Sequence, residues 1–323
     1  MAPNPPITTA AERYSDTAIA HAATLILSGG MVALPTETVY GLAADATNGA
    51  AVARIYAAKG RPSFNPLIVH VADMEAARAL AAFDNRAEQL ANAFWPGPLT
   101  LVLPLRPSAG IASLVTAGLE TIAVRIPQHR VMRALLKACG KPLAAPSANA
   151  SGSISPTRAE HVLQSLGGRI PLVIDDGPTL RGIESTIVRE VYGSTRILRH
   201  GPITSDQIAG VLGGAVDRFD PGDDAAATIE APGQLLSHYA PGKPLRIGAP
   251  RAAADEWMIG FGPTPGDDTL SAAGDLQEAA ERLFDALHRA DASDRARIAV
   301  APVPIDGIGE AINDRLRRAA HRG

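Results

Sequence analysis

The sequence predicts a mixed α/β fold with two domains. A chain of 323 residues is longer than a single hydrophobic core usually organises. As far as Leu212, short apolar strands and amphipathic helices follow one another without strict alternation, which favours a mixed sheet. From residue 245 strands and helices alternate regularly, as is typical of a small parallel βαβ domain. We therefore expect a larger domain over 15–212, a linker over 213–244 and a smaller domain over 245–323.

The first helix of the larger domain is predicted over Asp16–Ser28, capped by Ser15 or Asp16 and stopped by Gly29-Gly30, after a loose arm over residues 1–14. Further helices are predicted at about 49–58, 74–82, 86–94, 130–138, 158–166 and 206–212. Strands are predicted at 31–34, 67–71, 99–103, 121–126, 143–145, 172–174, 185–189 and 196–198. Trp95-Pro96-Gly97-Pro98 predicts a tight turn before the third strand.

The composition changes after Leu212. Residues 213–244 are rich in Gly, Pro, Asp and Ala and have little periodicity, which indicates a linker between domains. The smaller domain is then predicted to contain strands at 245–247, 257–261 and 297–301 and helices at 252–256, 276–290 and 310–320.

Composition limits the possible functions. The net charge of −3 gives no global attraction to nucleic acid. The one cysteine, Cys139, lies in an apolar helical run and is expected to be a small core residue. The N-terminal residues contain no apolar run long enough for a signal peptide or membrane span, so we expect a cytoplasmic protein without membrane contact.

The sequence contains no Walker loop, no Gly-x-Gly-x-x-Gly turn, no His-Glu-x-x-His and no cysteine pair. What it does contain is a scarce lysine next to an arginine. Lys59 is one of four lysines and is followed by Arg61, at a predicted helix end before a buried strand. A point charge beside a planar guanidinium suits phosphate or carboxylate, although a solvated loop would explain the same residues.

Other polar residues lie at the ends of predicted strands. Taken singly, each has a structural explanation: His70 as a core histidine, Arg125 as a salt-bridged strand residue, and Ser147 to Asn149 as a turn. Strand alternation places Thr121, Ala123 and Arg125 on one face. Together the segments supply four cations and many hydroxyls but no strong base or nucleophile. This set favours a nucleotide site that works by positioning and charge neutralisation; its cations are Lys59, Arg61, Arg125 and Arg199.

These segments, in this order, resemble the YrdC family in its long two-domain form, the threonylcarbamoyl-adenylate synthases. The resemblance covers about 17–210 and rests on residues 35–42, 59–67, 95–100, 125–127, 146–149 and 184–186. Residues 231–242 resemble the segment that joins the two domains of the long form. One departure is Arg199-His200-Gly201, where the family more often has proline between Arg and Gly. The resemblance implies a YrdC-like twisted mixed sheet followed by a Rossmann-like domain.

The activity implied by this resemblance is synthesis of L-threonylcarbamoyl-AMP from L-threonine, bicarbonate or CO2 and ATP, with release of pyrophosphate. The product would supply the tRNA threonylcarbamoyltransferase machinery that modifies adenosine 37, and direct tRNA binding is expected to be weak or absent. Mg²⁺ would be held by the ATP phosphates and water, with no metal ligand from the protein.

The resemblance also implies a role for each matching residue. Lys59 and Arg61 would neutralise phosphate charge at the reacting centre, and Arg125 would pair with the threonine carboxylate. Threonine would be surrounded by Thr38, His70, Arg125, Ala145 and Ser185. ATP would be contacted by Arg61, Asn65, Thr121, Ser147, Asn149, Ser155, Arg199 and Tyr239. Since Tyr239 belongs to the linker, the linker is expected to act as a lid.

Two other functions fit parts of the sequence. The first is carbamoyl-adenylate chemistry of the hydrogenase-maturation type, which would need cysteine-rich zinc motifs that a chain with one cysteine lacks. The second is a non-catalytic module for RNA binding or ribosome maturation. A low aromatic content of 4% and the acidic net charge disfavour strong RNA binding.

Overall fold

The computed structural model describes residues 7–191, 193–218, 230–234 and 238–321. In chain order the N-terminal part contains β1 (Ala10–Arg13), α1 (Asp16–Leu27), β2 (Val32–Pro35), β3 (Tyr40–Asp45), α2 (Gly49–Lys59), β4 (Ile68–His70), α3 (Met74–Leu80), α4 (Asn85–Phe94), β5 (Leu99–Pro104), α5 (Ser113–Thr116), β6 (Thr121–Arg125), α6 (Arg130–Cys139), β7 (Leu143–Ala144), α7 (Ala159–Leu166), β8 (Leu172–Asp175), β9 (Thr186–Val191), β10 (Ser194–Arg199), α8 (Ser205–Leu212) and β11 (Asp217–Arg218). The C-terminal part contains β12 (Leu245–Arg246), β13 (Glu256–Gly260), β14 (Asp268–Thr269), α9 (Leu276–Ala292), β15 (Arg297–Val300) and α10 (Gly309–Ala320).

The N-terminal part is built on one large mixed sheet. Its strand order is β1-β8-β2-β3-β7-β4-β6-β5-β9-β10-β11. The sheet contains both parallel pairs, such as β4 with β6, and antiparallel pairs, such as β5 with β6. The predicted mixed sheet is therefore confirmed.

The C-terminal part has a four-stranded sheet in the order β12-β15-β13-β14, and every pair in it is parallel. The apolar stripe of α9 and that of α10 pack on this sheet. This confirms the predicted smaller parallel domain. Within the described ranges, no helix is both long and apolar enough to cross a bilayer.

Alternation along the central strands sends side chains to two different layers. In β6, Ile122 and Val124 join the main core beneath the helices, whereas Ala123 faces the opposite side with Ile68 of β4 and Leu198 of β10. The predicted faces of β6 are therefore correct. The second face carries the polar residues described below.

Cys139 is buried, as predicted, in a third apolar layer between α1, α6 and the strands beneath them. Burial, with a smaller effect of Asp45, raises the pKa of its thiol to about 11. The thiol is therefore protonated at neutral pH.

Several predictions of local structure were wrong. Ala10–Arg13, predicted as part of a loose arm, forms β1 and pairs with β8 at the sheet edge. The tract after β2 contains a whole strand, β3, which Thr36 makes possible by closing a tight turn: its Oγ1 accepts from the Val39 N–H. Elements β11, β14 and α5 were not predicted either.

The predicted helix at 252–256 is absent from that described segment. The Glu256 carboxylate accepts a hydrogen bond from the Ala253 N–H at 2.7 Å and pairs with Arg246 at 2.6 Å. These contacts close a turn that leads directly into β13, so the segment has no room for a helix.

Candidate active site

A pocket lies on the second face of the large sheet, over its central strands. Strands β4 and β6 supply its floor, the turn between β2 and β3 supplies one wall, and the residues after β7 supply another. The chain just before the C-terminal part covers it. The lining residues are Thr36, Thr38, Val39, Gly41, Arg61, Ile68, His70, Arg125, Ala145, Pro146, Ser147, Glu184, Ser185, Arg199, Pro232, Gly233, His238 and Tyr239.

Arg61 reaches this pocket because α2 stops at Lys59. Gly60 takes the left-handed conformation at φ 60° and ends the helix. The Arg61 guanidinium then donates to Asn65 Oδ1 at 2.6 Å and to the Pro66 carbonyl at 2.8 Å. Burial lowers the pKa of Arg61 to about 10. Neutral partners hold this guanidinium in place and leave its charge uncompensated.

Lys59 lies directly behind the pocket wall. Its Nζ donates to the Ser147 carbonyl at 2.6 Å and to the Asn149 carbonyl, and the side chain is buried. Burial, and then the charge of Arg61, holds the pKa of Lys59 well below its usual range. A third N–H remains for a ligand, but in this structure Lys59 is not itself a lining residue.

Arg125 lies at the end of β6, opposite His70 in the parallel pairing of β4 and β6. Its Nη1 donates to Thr38 Oγ1 at 3.0 Å and its Nε donates to the Gly97 carbonyl at 3.1 Å. Its Nη2 lies 2.7 Å from Glu37 Oε1, an ion pair whose angles depart from those of a hydrogen bond. The arginine is thus held on three sides, with one carboxylate beside it.

Two titratable groups next to Arg125 are displaced from their ordinary pKa values. Burial raises the pKa of Glu37, but the charge of Arg125, together with backbone hydrogen bonds to the carboxylate, outweighs burial, and the net pKa is lowered. For His70, burial and then Arg125 lower the pKa to about 3. At neutral pH Glu37 is therefore ionised and His70 is neutral.

Arg199 enters the pocket through an irregularity at the end of β10. The register between β9 and β10 shifts between Ile197 and Arg199, so that Leu198 and Arg199 both face the same side of the sheet. Arg199 donates to the Ser185 carbonyl at 2.9 and 3.1 Å, and from Nη2 to Ser185 Oγ at 3.1 Å. Burial lowers the pKa of Arg199.

The segment before the C-terminal part closes the pocket. Tyr239 is fully buried, at φ 64°, with its ring 5.4 Å from that of Phe284 on α9. Gly233, at φ 87°, passes so close that an added Cβ would lie 2.9 Å from the Tyr239 hydroxyl. That hydroxyl has no hydrogen-bond partner among the described residues. Ser237 of the same segment lies outside the described ranges.

The structure brings most of the predicted site residues together. Nine of them line the pocket: Thr38, Arg61, His70, Arg125, Ala145, Ser147, Ser185, Arg199 and Tyr239. Lys59, Asn65 and Asn149 lie behind the lining. Asn65 accepts a hydrogen bond from the lining residue Arg61, and the Asn149 carbonyl accepts one from Lys59. Ser155 donates to Glu184, which is a lining residue. Thr121 starts β6 opposite Pro104 and does not line the pocket.

Sequence reasoning missed several lining or supporting residues. The two carboxylates, Glu37 and Glu184, each directly adjoin a predicted residue and are buried. A carboxylate beside a buried arginine was the available signal, because an unpaired buried charge is costly. Thr36, Gly233 and His238 gave no comparable signal.

Among the described residues, no carboxylate lies within ion-pair distance of Lys59, Arg61 or Arg199. Burial lowers the pKa of all three, so an anionic ligand would relieve an electrostatic cost. With a further arginine, a neutral histidine and several hydroxyls, the pocket has the chemistry of a site for more than one anion. The fold and site together define an α/β protein with a buried basic pocket suited to anionic ligands.

Comparison with known proteins gives the family. Residues 24–201 match the model of the Sua5/YciO/YrdC family, described as telomere recombination, and residues 203–321 match the model described as the threonylcarbamoyl-AMP synthase C-terminal domain. The chain belongs to this two-domain family.

Individual relatives match over nearly the whole chain. The threonylcarbamoyl-AMP synthase of Bacillus subtilis is 42% identical, over 95% of this chain and 94% of the relative. That of Pyrococcus abyssi is 38% identical, over 96% of each. The crystal structure of P. abyssi Sua5 complexed with L-threonine superposes with a TM-score of 0.87 at 37% identity, covering 97% of both chains.

Proposed function

We propose that this chain is an L-threonylcarbamoyl-AMP synthase that joins L-threonine, bicarbonate and ATP and releases pyrophosphate. The observation that carries the proposal is the group of buried basic side chains without carboxylate partners, Lys59, Arg61 and Arg199, beside the threonine-compatible site around Arg125. The relatives that match the whole chain bear the same activity in their names.

Threonine is proposed to bind over β4 and β6. Its carboxylate pairs with Arg125, whose geometry allows a bidentate contact once ligand and Glu37 share the guanidinium. The neutral His70 faces the same space and leaves the positive charge there to Arg125. The remaining contacts are assigned to Thr38, Ala145 and Ser185.

ATP is proposed to lie toward the arginines on the other side. Arg61 and Arg199 face the phosphates from the pocket lining, and Lys59 acts from behind the wall; each would recover stabilisation lost on burial. The other ATP contacts are assigned to Asn65, Thr121, Ser147, Asn149, Ser155 and Tyr239. Four of these residues, Asn65, Thr121, Asn149 and Ser155, do not line the pocket in this structure, so their proposed contacts need a local rearrangement when ATP binds; the amide oxygen of Asn65 is already bound to Arg61.

The reaction has two steps, carbamate formation and nucleotidyl transfer, and neither step needs a nucleophile from the protein. The neutral threonine amine adds to CO2 and releases one proton to solvent, or it adds to bicarbonate with loss of water, and either route forms a carbamate. A carbamate oxygen then attacks the α-phosphorus of ATP, the bond to the β-phosphate oxygen breaks, and pyrophosphate leaves. The protein contributes by holding two anions close together and by stabilising the charge that develops on the phosphates.

Mg²⁺ is proposed to enter with ATP, held by phosphate oxygens and water. The two carboxylates nearest the pocket are already engaged, Glu37 with Arg125 and Glu184 with Arg315. The donor set therefore suits a metal carried by the nucleotide. It would offset phosphate charge during the transfer.

The chain is proposed to divide into a catalytic domain over 15–212, a lid-forming linker over 213–244 and a C-terminal domain over 245–323. Burial of Tyr239 above the pocket supports a lid. The product is proposed to pass to the enzymes that threonylcarbamoylate tRNA adenosine, in the cytoplasm and without strong tRNA binding by this chain.

The test is pyrophosphate release with threonine and bicarbonate omitted in turn. Release that requires both, with threonylcarbamoyl-AMP identified by mass spectrometry, is expected. Release without threonine would indicate a carbamoyl-type or hydrolytic activity. Folded protein that releases no pyrophosphate but binds RNA with a steep salt dependence would favour the RNA-binding alternative.

A further inference from the structure

One side chain from the C-terminal part reaches the wall of the pocket. Arg315 on α10 is wholly buried; its Nε donates to Glu184 Oε2 at 3.0 Å and its Nη2 donates to the His200 carbonyl at 2.8 Å. We propose that Arg315 is a positioning residue through which the C-terminal domain holds the ATP side of the active site in order. The inference rests on the proposed function for the roles of the residues it positions.

The contact with Glu184 fixes two groups of the site. The second oxygen of this carboxylate accepts a hydrogen bond from Ser155 Oγ, which is assigned to ATP. The next residue, Ser185, is assigned to threonine. Arg315 therefore sets the orientation of a carboxylate that lies between the two proposed substrate positions.

The contact with His200 acts on the neighbouring strand. His200 directly follows Arg199, whose guanidinium bonds the carbonyl of Ser185. Arg315 thus ties the residue after β10 to the segment just before β9. Because Arg199 sits at a register shift, its direction depends on such external support.

Arg315 also supports the proposed lid. Its guanidinium carbon lies 5.2 Å from the centroid of the Tyr239 ring, within cation–π range. Tyr239 lines the pocket and is assigned to ATP. A single guanidinium therefore contacts a strand start, a strand end and the lid.

The C-terminal helix holds this guanidinium in turn. Asp314 Oδ2 accepts from Arg315 Nη1 at 2.7 Å, and Asp314 Oδ1 accepts from Arg318 Nε at 3.0 Å. Burial lowers the pKa of Arg315, but Tyr239, Glu184 and Asp314 raise it by more than burial lowers it. The net pKa is raised, so the side chain stays charged. Replacing a buried ion pair by well-packed apolar residues is often neutral or stabilising. The presence of an arginine at this position is therefore better explained by the groups it orients than by a gain in stability.

The experiment compares Arg315→Met and Arg315→Lys with the surface control Arg317→Met, an exposed arginine on the same helix. We measure melting temperature, kcat and KM for each substrate in pyrophosphate release, and the ATP dissociation constant by calorimetry. Arg315→Met is expected to raise KM and Kd for ATP by about 10-fold or more, because Ser155, Arg199 and Tyr239 lose a shared support. Arg315→Lys keeps the charge without the fork and is expected to recover only part of this loss.

A double-mutant cycle separates positioning from simple tethering. Combining Arg315→Met with Ser155→Ala is expected to cost less than the product of the two single effects on ATP affinity, since both act through Glu184. Multiplicative effects, or a lowered melting temperature with unchanged ATP affinity and KM, would overturn the proposal. If Arg315→Met does not fold, the same cycle is run with Arg315→Lys.

The two proposals fail in different ways. Wild-type protein that does not release pyrophosphate overturns the proposed function. The ATP affinities of the variants still test the positioning role in that case, because they need no turnover.

Discussion

Lys59 and Arg61 lie two residues apart, yet they occupy different layers of the site. Arg61 lines the pocket, whereas Lys59 holds the Ser147 and Asn149 carbonyls behind it. Lys59 can therefore act on the phosphates both through its charge and by shaping the loop that faces them. These two contributions have different experimental consequences.

ATP binding is expected to be accompanied by proton uptake at Lys59. Burial and Arg61 hold the pKa of Lys59 well below its usual range, and a triphosphate nearby raises it again. Calorimetry between pH 7 and 9, in buffers of different ionisation enthalpy, measures the uptake. Lys59→Met should abolish it, whereas Lys137→Met, at an exposed lysine, should leave it unchanged. Equal uptake in wild type and Lys59→Met would contradict this assignment.

Arg61→Ala is expected to lower kcat/KM for ATP by about 100-fold or more, because it removes a buried cation from the developing phosphate charge. Steady-state pyrophosphate release measures the loss. The control is Arg106→Ala, whose guanidinium bonds the carbonyls of Arg78 and Ala81 outside the pocket lining. A loss shared equally by both variants would argue against a phosphate role for Arg61.

Stability is expected to fall as the pH decreases from 6.5 toward 3, partly because of His70. Its pKa is about 3 in the folded protein, below the ordinary value of 6.5, so the unfolded chain binds the extra proton in this window. Linkage then costs about 2 kcal/mol between pH 7 and pH 5. Urea unfolding at both pH values measures it. His70→Gln should reduce the difference by about that amount, and an unchanged difference would refute the assignment.

At the scale of elements, the described part of the segment that covers the pocket has an unusual backbone. Gly233 and Tyr239 both have positive φ, and for a tyrosine that is uncommon. The packing of the ring against Phe284 and Arg315 holds this conformation. The hydroxyl is thereby directed toward the pocket side, where Gly233 leaves space for it.

Tyr239→Phe is expected to raise KM for ATP by about 5- to 10-fold, the value of one hydrogen bond, without loss of stability. The reason is that the hydroxyl has no partner among the described residues when ATP is absent. Tyr40→Phe is the matched control, because the Tyr40 hydroxyl donates to the Gly177 carbonyl at 2.7 Å. That control should destabilise the fold and leave KM unchanged. An unchanged KM for Tyr239→Phe would remove this hydroxyl from the ATP site.

The parts of the site that sequence could predict are those set by local chemistry. Gly60 predicts the helix stop that directs Arg61, and alternation predicts the face of Arg125. The strand β3 escaped prediction because it is buried on both faces and begins in a polar turn, so it shows no alternation. Glu184 and Arg315 are 131 residues apart, and no local pattern reports a pairing that only the domain arrangement creates.

At the scale of the whole molecule, the two parts share apolar core. The C-terminal cluster includes Val39, Ile154 and Ile183, which belong to the N-terminal part. Ile183 is fully buried there, and Gly182 before it packs against the backbone of Glu281 on α9. Separating the parts would expose this surface to water.

The two parts are therefore expected to unfold in one transition. Each contains one tryptophan, Trp95 in the N-terminal part and Trp257 in the C-terminal part, so Trp257→Phe and Trp95→Phe give fluorescence probes of each part. For each variant, the urea midpoint measured by tryptophan fluorescence should equal the midpoint measured by circular dichroism. Ile183→Ala should lower the free energy of unfolding by about 2–4 kcal/mol and shift both urea midpoints down together. Separate midpoints would show that the parts unfold independently.

The buried thiol of Cys139 offers a probe of local opening in the native protein. Cys139 is the chain's one thiol; it ends α6 and is buried in the apolar layer that α6 shares with α1, and its raised pKa keeps it protonated. A thiol reagent is therefore expected to modify the native enzyme mainly when this layer separates, and the layer adjoins the pocket through Ala145. The labelling rate reports how often that layer opens, and its response to added ATP and threonine measures how far binding in the pocket slows opening of the adjoining apolar layer on the same face of the sheet.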